Sequence, residues 1–259
     1  RSIVFGDAIY ESVYTRNFIP YCLGEHIDRF FLSAKKLNIN LSFTKNKLTD
    51  TILELVNKLD SDEQMIYWQS SRGTQIRNHV YDKELLANLM IMLIPKSIYA
   101  KDKMLKIVAV NDTRHFYCNM KTTNLLANTI ECTKAALNNF DEVVFIRNNY
   151  VSECSHSNIS YMKDGIFITA PCDENILNGI ARKHLIQKCQ ILNIPVEEKY
   201  YTLDELINAD VVINSSAGSL CNEVEMIDDK EVGGNGGELF EILQNEIFYD
   251  YIKGTNIDE

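Results

Sequence analysis

One lysine in the chain has neighbours that suggest chemistry. Lys121 stands just before an apolar helix start, in Asn119-Met120-Lys121-Thr122-Thr123-Asn124-Leu125-Leu126. Between a strand and a helix it could face a cleft, where loss of water favours the neutral amine and Schiff-base chemistry. From spacing alone a solvated surface lysine is the favoured reading, since most lysines are surface residues. Glu153 lies at a strand end in Val151-Ser152-Glu153-Cys154-Ser155-His156-Ser157-Asn158. A carboxylate followed by small polar residues can pair with a cationic ring nitrogen while the hydroxyls hold other polar atoms; the same residues also make an ordinary capped turn. Ser155 and His156 have the types of a nucleophile and its base. They are sequence neighbours without a Gly-x-Ser-x-Gly elbow, which argues against a serine hydrolase.

Anion-binding chemistry is suggested at further places. If residues 77–79 are extended, alternation puts Arg77 and His79 on one face, and a guanidinium beside an imidazole N–H donor makes a carboxylate trap. A charged loop is the other reading. Arg29 sits on an expected helix, where Glu25 offers an intrahelical i, i+4 partner. Leu177-Asn178-Gly179-Ile180-Ala181-Arg182 is a turn into a helix whose first N–H groups, at Ile180 and Ala181, could cup a phosphate. Ser215-Ser216-Ala217-Gly218 is a second small-residue loop after a strand. Both are also compatible with ordinary caps. Neither a Walker loop nor a dinucleotide-binding Gly-x-Gly-x-x-Gly is present.

The elements that must position these residues alternate between strand and helix. Strands are expected at Asp7–Arg16, Phe18–Cys22 (with Asn17 at the turn), Met65–Ser71 and Leu89–Ile94. Helices are expected at Glu25–Leu37, with Ile27, Phe30, Phe31, Ala34 and Leu37 on one face, and after Thr44, with Leu48, Ile52, Leu55, Val56 and Leu59. Pro95–Lys103 reads as a linker. Beyond it come strands at Leu105–Val110, Glu142–Ile146, Ile159–Met162, Ile166–Thr169, Pro195–Tyr201, Asp210–Asn214 and Val224–Ile227. Asn148-Asn149 and Lys163-Asp164-Gly165 supply hairpin turns. Helices follow at Asn124–Leu137, with Leu126, Ile130 and Leu137 inward, at Ile180–Leu192 and, after a Gly-rich loop at residues 233–237, at Glu238–Ile252. This mixture argues for an α+β chain of two domains, 1–95 and 103–259.

The 259 residues suffice for a sizeable core. With 26 basic and 36 acidic residues the net charge is −10, a poor match to nucleic acid. The longest nearly apolar stretch, Leu85–Pro95, is too short to span a bilayer. No signal-peptide pattern opens the sequence. The seven cysteines contain no Cys-x-x-Cys pair, so reduced thiols of a cytoplasmic protein are expected, without a zinc site.

Singly these segments decide nothing; their order does. Phe5-Gly6-Asp7-Ala8-Ile9-Tyr10-Glu11, Glu25-His26-Ile27-Asp28-Arg29, Arg72-Gly73-Thr74 with Arg77-x-His79, Lys121-x-x-Asn124-Leu125-Leu126, Glu153-x-Ser155-x-Ser157-Asn158 and Leu177-x-Gly179-Ile180 run collinearly over most of the chain. The series resembles the class IV aminotransferases, the fold-type IV pyridoxal-phosphate enzymes, and within them is most similar to those acting on D-amino acids. The family's opening strands, which precede its Phe-Gly-Asp, are expected to be missing from this first domain.

The resemblance implies an α+β fold of two domains with pyridoxal 5'-phosphate between them, and no metal. Lys121 would hold the cofactor and later move the substrate Cα proton. Glu153 would pair with the protonated pyridine nitrogen. Arg29 would bind the phosphate, with the N–H groups of Ile180 and Ala181 and with Ser216 and Ala217. Leu177 would pack on the ring. Tyr10, Arg77 and His79 would grip the substrate carboxylate, with Arg77 and His79 reaching across a homodimer. Some positions depart from the D-enzyme pattern: Ser12 replaces an apolar residue, His156 a serine, and Ala181 and Ala217 hydroxyl residues. The implied reaction is D-alanine plus 2-oxoglutarate giving pyruvate and D-glutamate. Branched-chain L-amino-acid transamination comes second and an aminodeoxychorismate lyase third. A non-catalytic relative that kept the fold is the reading from another class.

Overall fold

Ile9, Glu11, Val13 and Thr15 are buried while Tyr10 and Ser12 between them are half-buried, the period of two that a strand imposes. In the computed structural model, which describes residues 1–256, that strand is the spine of the first of two compact units. The first unit comprises Arg1–Ser97, Met120–Asn124 and residues 251–256. A short helix α1 (Ser2–Phe5) leads into β1 (Ala8–Arg16), followed by β2 (Ile19–Pro20), α2 (Leu23–Lys36), α3 (Lys45–Val56), β3 (Gln64–Ser71) and β4 (Asn88–Pro95). The sheet order is β2-β1-β3-β4, antiparallel throughout.

Asn17 and Phe18, at φ 53 and 62, make the tight turn between β1 and β2. The strand expected at Phe18–Cys22 is therefore only two residues long: Phe18 is spent in the turn, and Cys22 takes φ 55 ahead of α2. Thr44 caps α3 by accepting from the Lys47 N–H at 3.2 Å. That helix stops at Val56, so Leu59 lies beyond it. Ile27, Phe30 and Ala34 of α2 and Leu48, Ile52 and Val56 of α3 pack on Ile9, Val13, Ile66 and Trp68 of the sheet. Each such fully buried aliphatic side chain contributes about 1.5–3 kcal/mol. After β3, Gly73 turns the chain away at φ 123, where a Cβ would meet the Leu86 carbonyl at 2.5 Å. The extended stretch expected at residues 77–79 is consequently an exposed loop without a sheet partner, held by Asn78 and Asp82 side chains that accept from the Val80 and Glu84 N–H groups.

The second unit comprises Ile98–Asn119 and Leu125–Asp250. Its elements are β5 (Leu105–Asn111), α4 (Leu126–Leu137), β6 (Glu142–Arg147), β7 (Tyr150–Cys154), β8 (Asn158–Lys163), β9 (Ile166–Thr169), α5 (Ile180–Ile191), β10 (Val196–Glu198), α6 (Leu203–Ile207), β11 (Val211–Ser215), β12 (Asn222–Ile227), β13 (Lys230–Glu231) and α7 (Gly237–Lys253), whose last residues belong to the first unit. They build a nine-stranded mixed sheet ordered β10-β9-β8-β11-β12-β5-β6-β7, with β13 paired to β12. Asn148 and Asn149 (φ 52 and 68) turn β6 into β7, and Asp164 and Gly165 (φ 50 and 77) turn β8 into β9. Residues 143–145 are buried on both faces: Val144 joins the main core with Ile107, Ile159, Val212 and Val224, while Val143 and Phe145 meet Ala135 of α4.

The inward face of α4 differs from the expected one. Leu126, Ile130 and Leu137 are 74, 43 and 78% exposed, and Asn128 and Ala135 are buried instead. Bulky Val143 and Phe145 leave room for a small residue, and Asn128 donates to the Ser155 carbonyl at 2.7 Å. Strand β10 ends at Glu198, short of the expected Tyr201, because Tyr201 turns into the core and donates to the Ile159 carbonyl at 2.9 Å. Among the described residues no helix is long and apolar enough to cross a membrane.

Candidate active site

In the first unit, residues 120–124 run along β1 as a short extra strand would. The Tyr10 N–H donates to the Lys121 carbonyl at 2.9 Å, and the Thr123 N–H donates to Ala8 at 3.1 Å. This backbone pairing sets the Lys121 side chain over Tyr10: Nζ is 3.4 Å from the tyrosine Oη and 4.4 Å from its ring centre. Tyr10 stacks on Tyr67, with ring centres 5.5 Å apart, and burial pushes the Tyr67 phenol up to about 12. The lysine and tyrosine singled out in the sequence are thus brought together by β1.

The next residue, Glu11, points into the core. It is fully buried, and a carboxylate there needs partners. Arg29 of α2 supplies two parallel bonds, Nε to Oε1 at 2.7 Å and Nη2 to Oε2 at 2.8 Å, and His26 Nδ1 lies 2.8 Å from Oε2. Arg29 is therefore oriented by Glu11 across the strand–helix contact, where the sequence offered Glu25. Burial pushes the Glu11 carboxyl up, but the Arg29 guanidinium more than offsets it and the group is held down to about 2. Burial pushes the His26 imidazole below its ordinary value. Both shifts give stability that is lost as pH falls: the unfolded histidine gains its proton first, then the unfolded carboxylate, while the native groups resist. The urea midpoint, read from the single tryptophan, Trp68, buried in this unit, is expected to decline from about pH 6.5 down to about pH 2. The Glu11 part is on the order of 3 kcal/mol. Glu11→Gln should flatten the limb below pH 5; a limb that persists unchanged assigns it to other carboxylates.

Arg77 and His79 stand on the exposed loop of the first unit. Both lie against Phe5: the Arg77 guanidinium carbon is 5.3 Å from its ring centre and the His79 ring 5.2 Å. The preceding Arg72 is structural. Its Nε donates to Asp7, and its two Nη groups donate to the Asn38 and Leu37 carbonyls that end α2.

In the second unit Glu153 is buried near the end of β7. Its Oε1 accepts from Arg114, and its Oε2 accepts from the Leu177 N–H at 3.0 Å and from Asn158 Nδ2 at 3.1 Å. Asn158 also donates to the Leu177 carbonyl at 3.0 Å, so Leu177 is tied to the carboxylate from both sides. Gly179 is required here, since a Cβ would fall 2.0 Å from Asn158 Oδ1. Gly179 is also the N-cap of α5, with no side-chain cap, so the helix opens on backbone donors at Ile180 and Ala181. Ser216 and Ala217 follow β11. The Ser216 hydroxyl accepts from the Gly218 and Ser219 N–H groups at 3.2 and 3.1 Å.

Two partners of the candidate site residues, Glu11 and Arg114, were not singled out by local spacing. Arg114 is 7% exposed, donates to Asp112 through Nε and Nη2 at 2.9 and 2.8 Å, and lies over the Phe145 ring. Burial works against its charge, but Asp112 and Glu153 hold it in the charged form. Glu11 had a signal that spacing arguments can use, a carboxylate on the core-facing register of β1; Arg114 had none. Ser155 Oγ and Glu142 Oε2 both approach the same nitrogen of His156, Nδ1, at 2.8 Å each. A catalytic triad uses the two ring nitrogens separately, so this cluster is no hydrolase site.

Residues 8–227 match the family described as Amino-transferase class IV. The chain belongs to the class IV aminotransferases: it is an aminotransferase whose cofactor is pyridoxal 5'-phosphate. It is 33% identical to the D-alanine aminotransferase of Bacillus licheniformis, covering 98% of this chain and 92% of that protein. Among solved structures it resembles the branched-chain aminotransferase of the archaeon Thermoproteus uzoniensis, at a TM-score of 0.88 and 23% identity over 99% of this chain and 89% of the other. It resembles equally well a Legionella pneumophila protein described by analogy as a 4-amino-4-deoxychorismate lyase, at a TM-score of 0.88 and 20% identity over 96 and 93%. These neighbours share the fold-type IV architecture.

Proposed function

We propose that this aminotransferase moves the amino group of a D-amino acid to a 2-oxo acid, converting D-alanine and 2-oxoglutarate to pyruvate and D-glutamate as a cytoplasmic homodimer. The observation that carries the chemistry is the Lys121 amine held over Tyr10 by the pairing of residues 120–124 with β1. The residues present fit the cofactor: a buried carboxylate at Glu153 whose oxygens accept from Arg114, Asn158 and the Leu177 N–H, a helix start at α5 without a side-chain cap, and an arginine oriented by Glu11. Bound pyridoxal 5'-phosphate supplies an electron sink for the charge left when the substrate Cα loses its proton. Lys121 Nζ holds the cofactor and takes that proton. Glu153 would pair with the protonated ring nitrogen, and Leu177 would pack on the ring. Arg29, the N–H groups of Ile180 and Ala181, and Ser216 with Ala217 bind the phosphate. Tyr10, with Arg77 and His79 contributed across the dimer, binds the substrate carboxylate.

Selectivity for the D form is supported by Arg77-x-His79 and by the likeness to the Bacillus enzyme. The test is the visible band of the bound cofactor, recorded on adding D-alanine or L-alanine. A change with the D form alone supports the reading. A change with the L form alone transfers it to the branched-chain class, and pyruvate released without a 2-oxo acid acceptor makes the enzyme a lyase. Arg77→Ala is expected to raise KM for D-alanine about 10- to 100-fold, the loss of one charge-assisted pair, with cofactor content unchanged. An unchanged KM removes Arg77 from the site.

A further inference from the structure

We propose that Cys132, Glu142 and His156 form a site for a thiophilic divalent cation of the zinc class. Cys132 is half-buried on α4, Glu142 is buried at the first position of β6, and His156 is exposed in the turn between β7 and β8. Their donor atoms, one thiol sulfur, one carboxylate oxygen and one imidazole nitrogen, all lie within 4.8 Å of one another. A tetrahedral cation with bonds of about 2.0–2.3 Å places its ligand atoms about 3.3–3.6 Å apart. The His156 Nδ1 to Glu142 Oε2 distance is 2.8 Å, so the present spacings bracket that range. A common centre would be reached by rotating the exposed imidazole and the thiol about their side-chain bonds.

The donor set selects the metal. Calcium and magnesium take oxygen ligands, whereas a thiolate, an imidazole and a carboxylate together suit zinc and its neighbours. The carboxylate is already aimed. Glu142 Oε1 accepts from the Val143 and Ser155 N–H groups at 2.8 and 3.1 Å, and Oε2 accepts from the Ser157 hydroxyl at 3.1 Å. Such outer contacts fix a ligand's orientation and survive metal binding. Three protein ligands leave a fourth position for water or for the Ser155 hydroxyl, which lies 2.8 Å from Nδ1. The sequence spacing carries no zinc motif; α4, β6 and the β7–β8 turn bring the three residues together. No residue of this trio is among those assigned to the cofactor, so the site stands or falls independently of the proposed transamination.

The experiment titrates the purified chain, with the cofactor it carries, using Zn²⁺ against a chromogenic chelator. Co²⁺ serves as the spectroscopic probe, read as a difference spectrum against the same protein before addition. The expected result is one equivalent bound and a thiolate-to-cobalt band. Cys132→Ser should abolish the band, and both Cys132→Ser and His156→Ser should weaken binding at least about tenfold. Replacement of the exposed Cys172 by serine should change neither. His156 is solvent-exposed, so its variant keeps the fold and the urea midpoint. A band retained in Cys132→Ser, an unchanged affinity in either ligand variant, loss of binding in Cys172→Ser, or no stoichiometric binding by the parent chain would overturn the proposal.

Discussion

Lys121→Ala is expected to remove transamination while leaving the protein folded, with kcat falling by about 10⁴-fold or more. Two roles converge on one amine. In the proposed mechanism it anchors the cofactor and moves a proton at the substrate Cα; general acid–base catalysis alone accounts for about 10²–10⁴-fold. Among the described residues of its own unit the group it meets is the Tyr10 phenol at 3.4 Å, which donates and accepts hydrogen bonds but cannot form a Schiff base. Stability should hardly change. The bond that keeps residues 120–124 on β1 uses the Lys121 carbonyl, which alanine keeps, and the side chain is only partly buried. Single-turnover assays with D-alanine measure the rate, and borohydride reduction followed by peptide mass measures the covalent attachment. Label surviving in the variant would place the attachment on a different lysine.

What the sequence disclosed depended on distance along the chain. Turns were legible because their residue types answer to backbone conformation: Asn17, Asn148-Asn149 and Asp164-Gly165 all take positive φ in the structure. The apolar run at residues 143–145 read correctly as a strand. The face a helix turns inward was less legible, because it depends on the partner. The strongest apolar stripe of α4 is Leu126, Ile130 and Leu137, yet small Ala135 fits against Val143 and Phe145. The site followed the same rule. Lys121, Tyr10 and Glu153 stood in recognisable segments, whereas what orients them came from elsewhere. Arg29 had a local candidate in Glu25, and its bidentate partner is Glu11 from β1. Glu153 is held by Arg114, 39 residues away in sequence. Nothing local could announce that pair.

That pair makes Glu153→Gln the second large effect. Asp112, Arg114, Arg147 and Glu153 form one network: Arg114 joins the two acids, and Arg147 Nη2 lies 3.0 Å from Asp112 Oδ1. Two acids and two arginines balance formally, so in the role proposed for Glu153 its carboxylate is what would let a cationic ring nitrogen be accepted. With glutamine the network carries a net positive charge before any ring proton arrives, and kcat is expected to fall about 10²–10³-fold, as when one preorganised electrostatic contact is removed. The amide also fails as a hydrogen-bonding substitute. Both carboxylate oxygens accept, from Arg114 on one side and from Leu177 N–H and Asn158 on the other, so an NH₂ group faces a donor whichever way it turns. That mismatch costs about 1–3 kcal/mol of stability. Arg114 itself is not orphaned, because Asp112 keeps its bonds. Cofactor attachment through Lys121 should persist, so the variant separates ring electronics from binding: full cofactor content with slow turnover is the expected result. Full turnover with full cofactor content would mean that the ring nitrogen owes its proton to some other group.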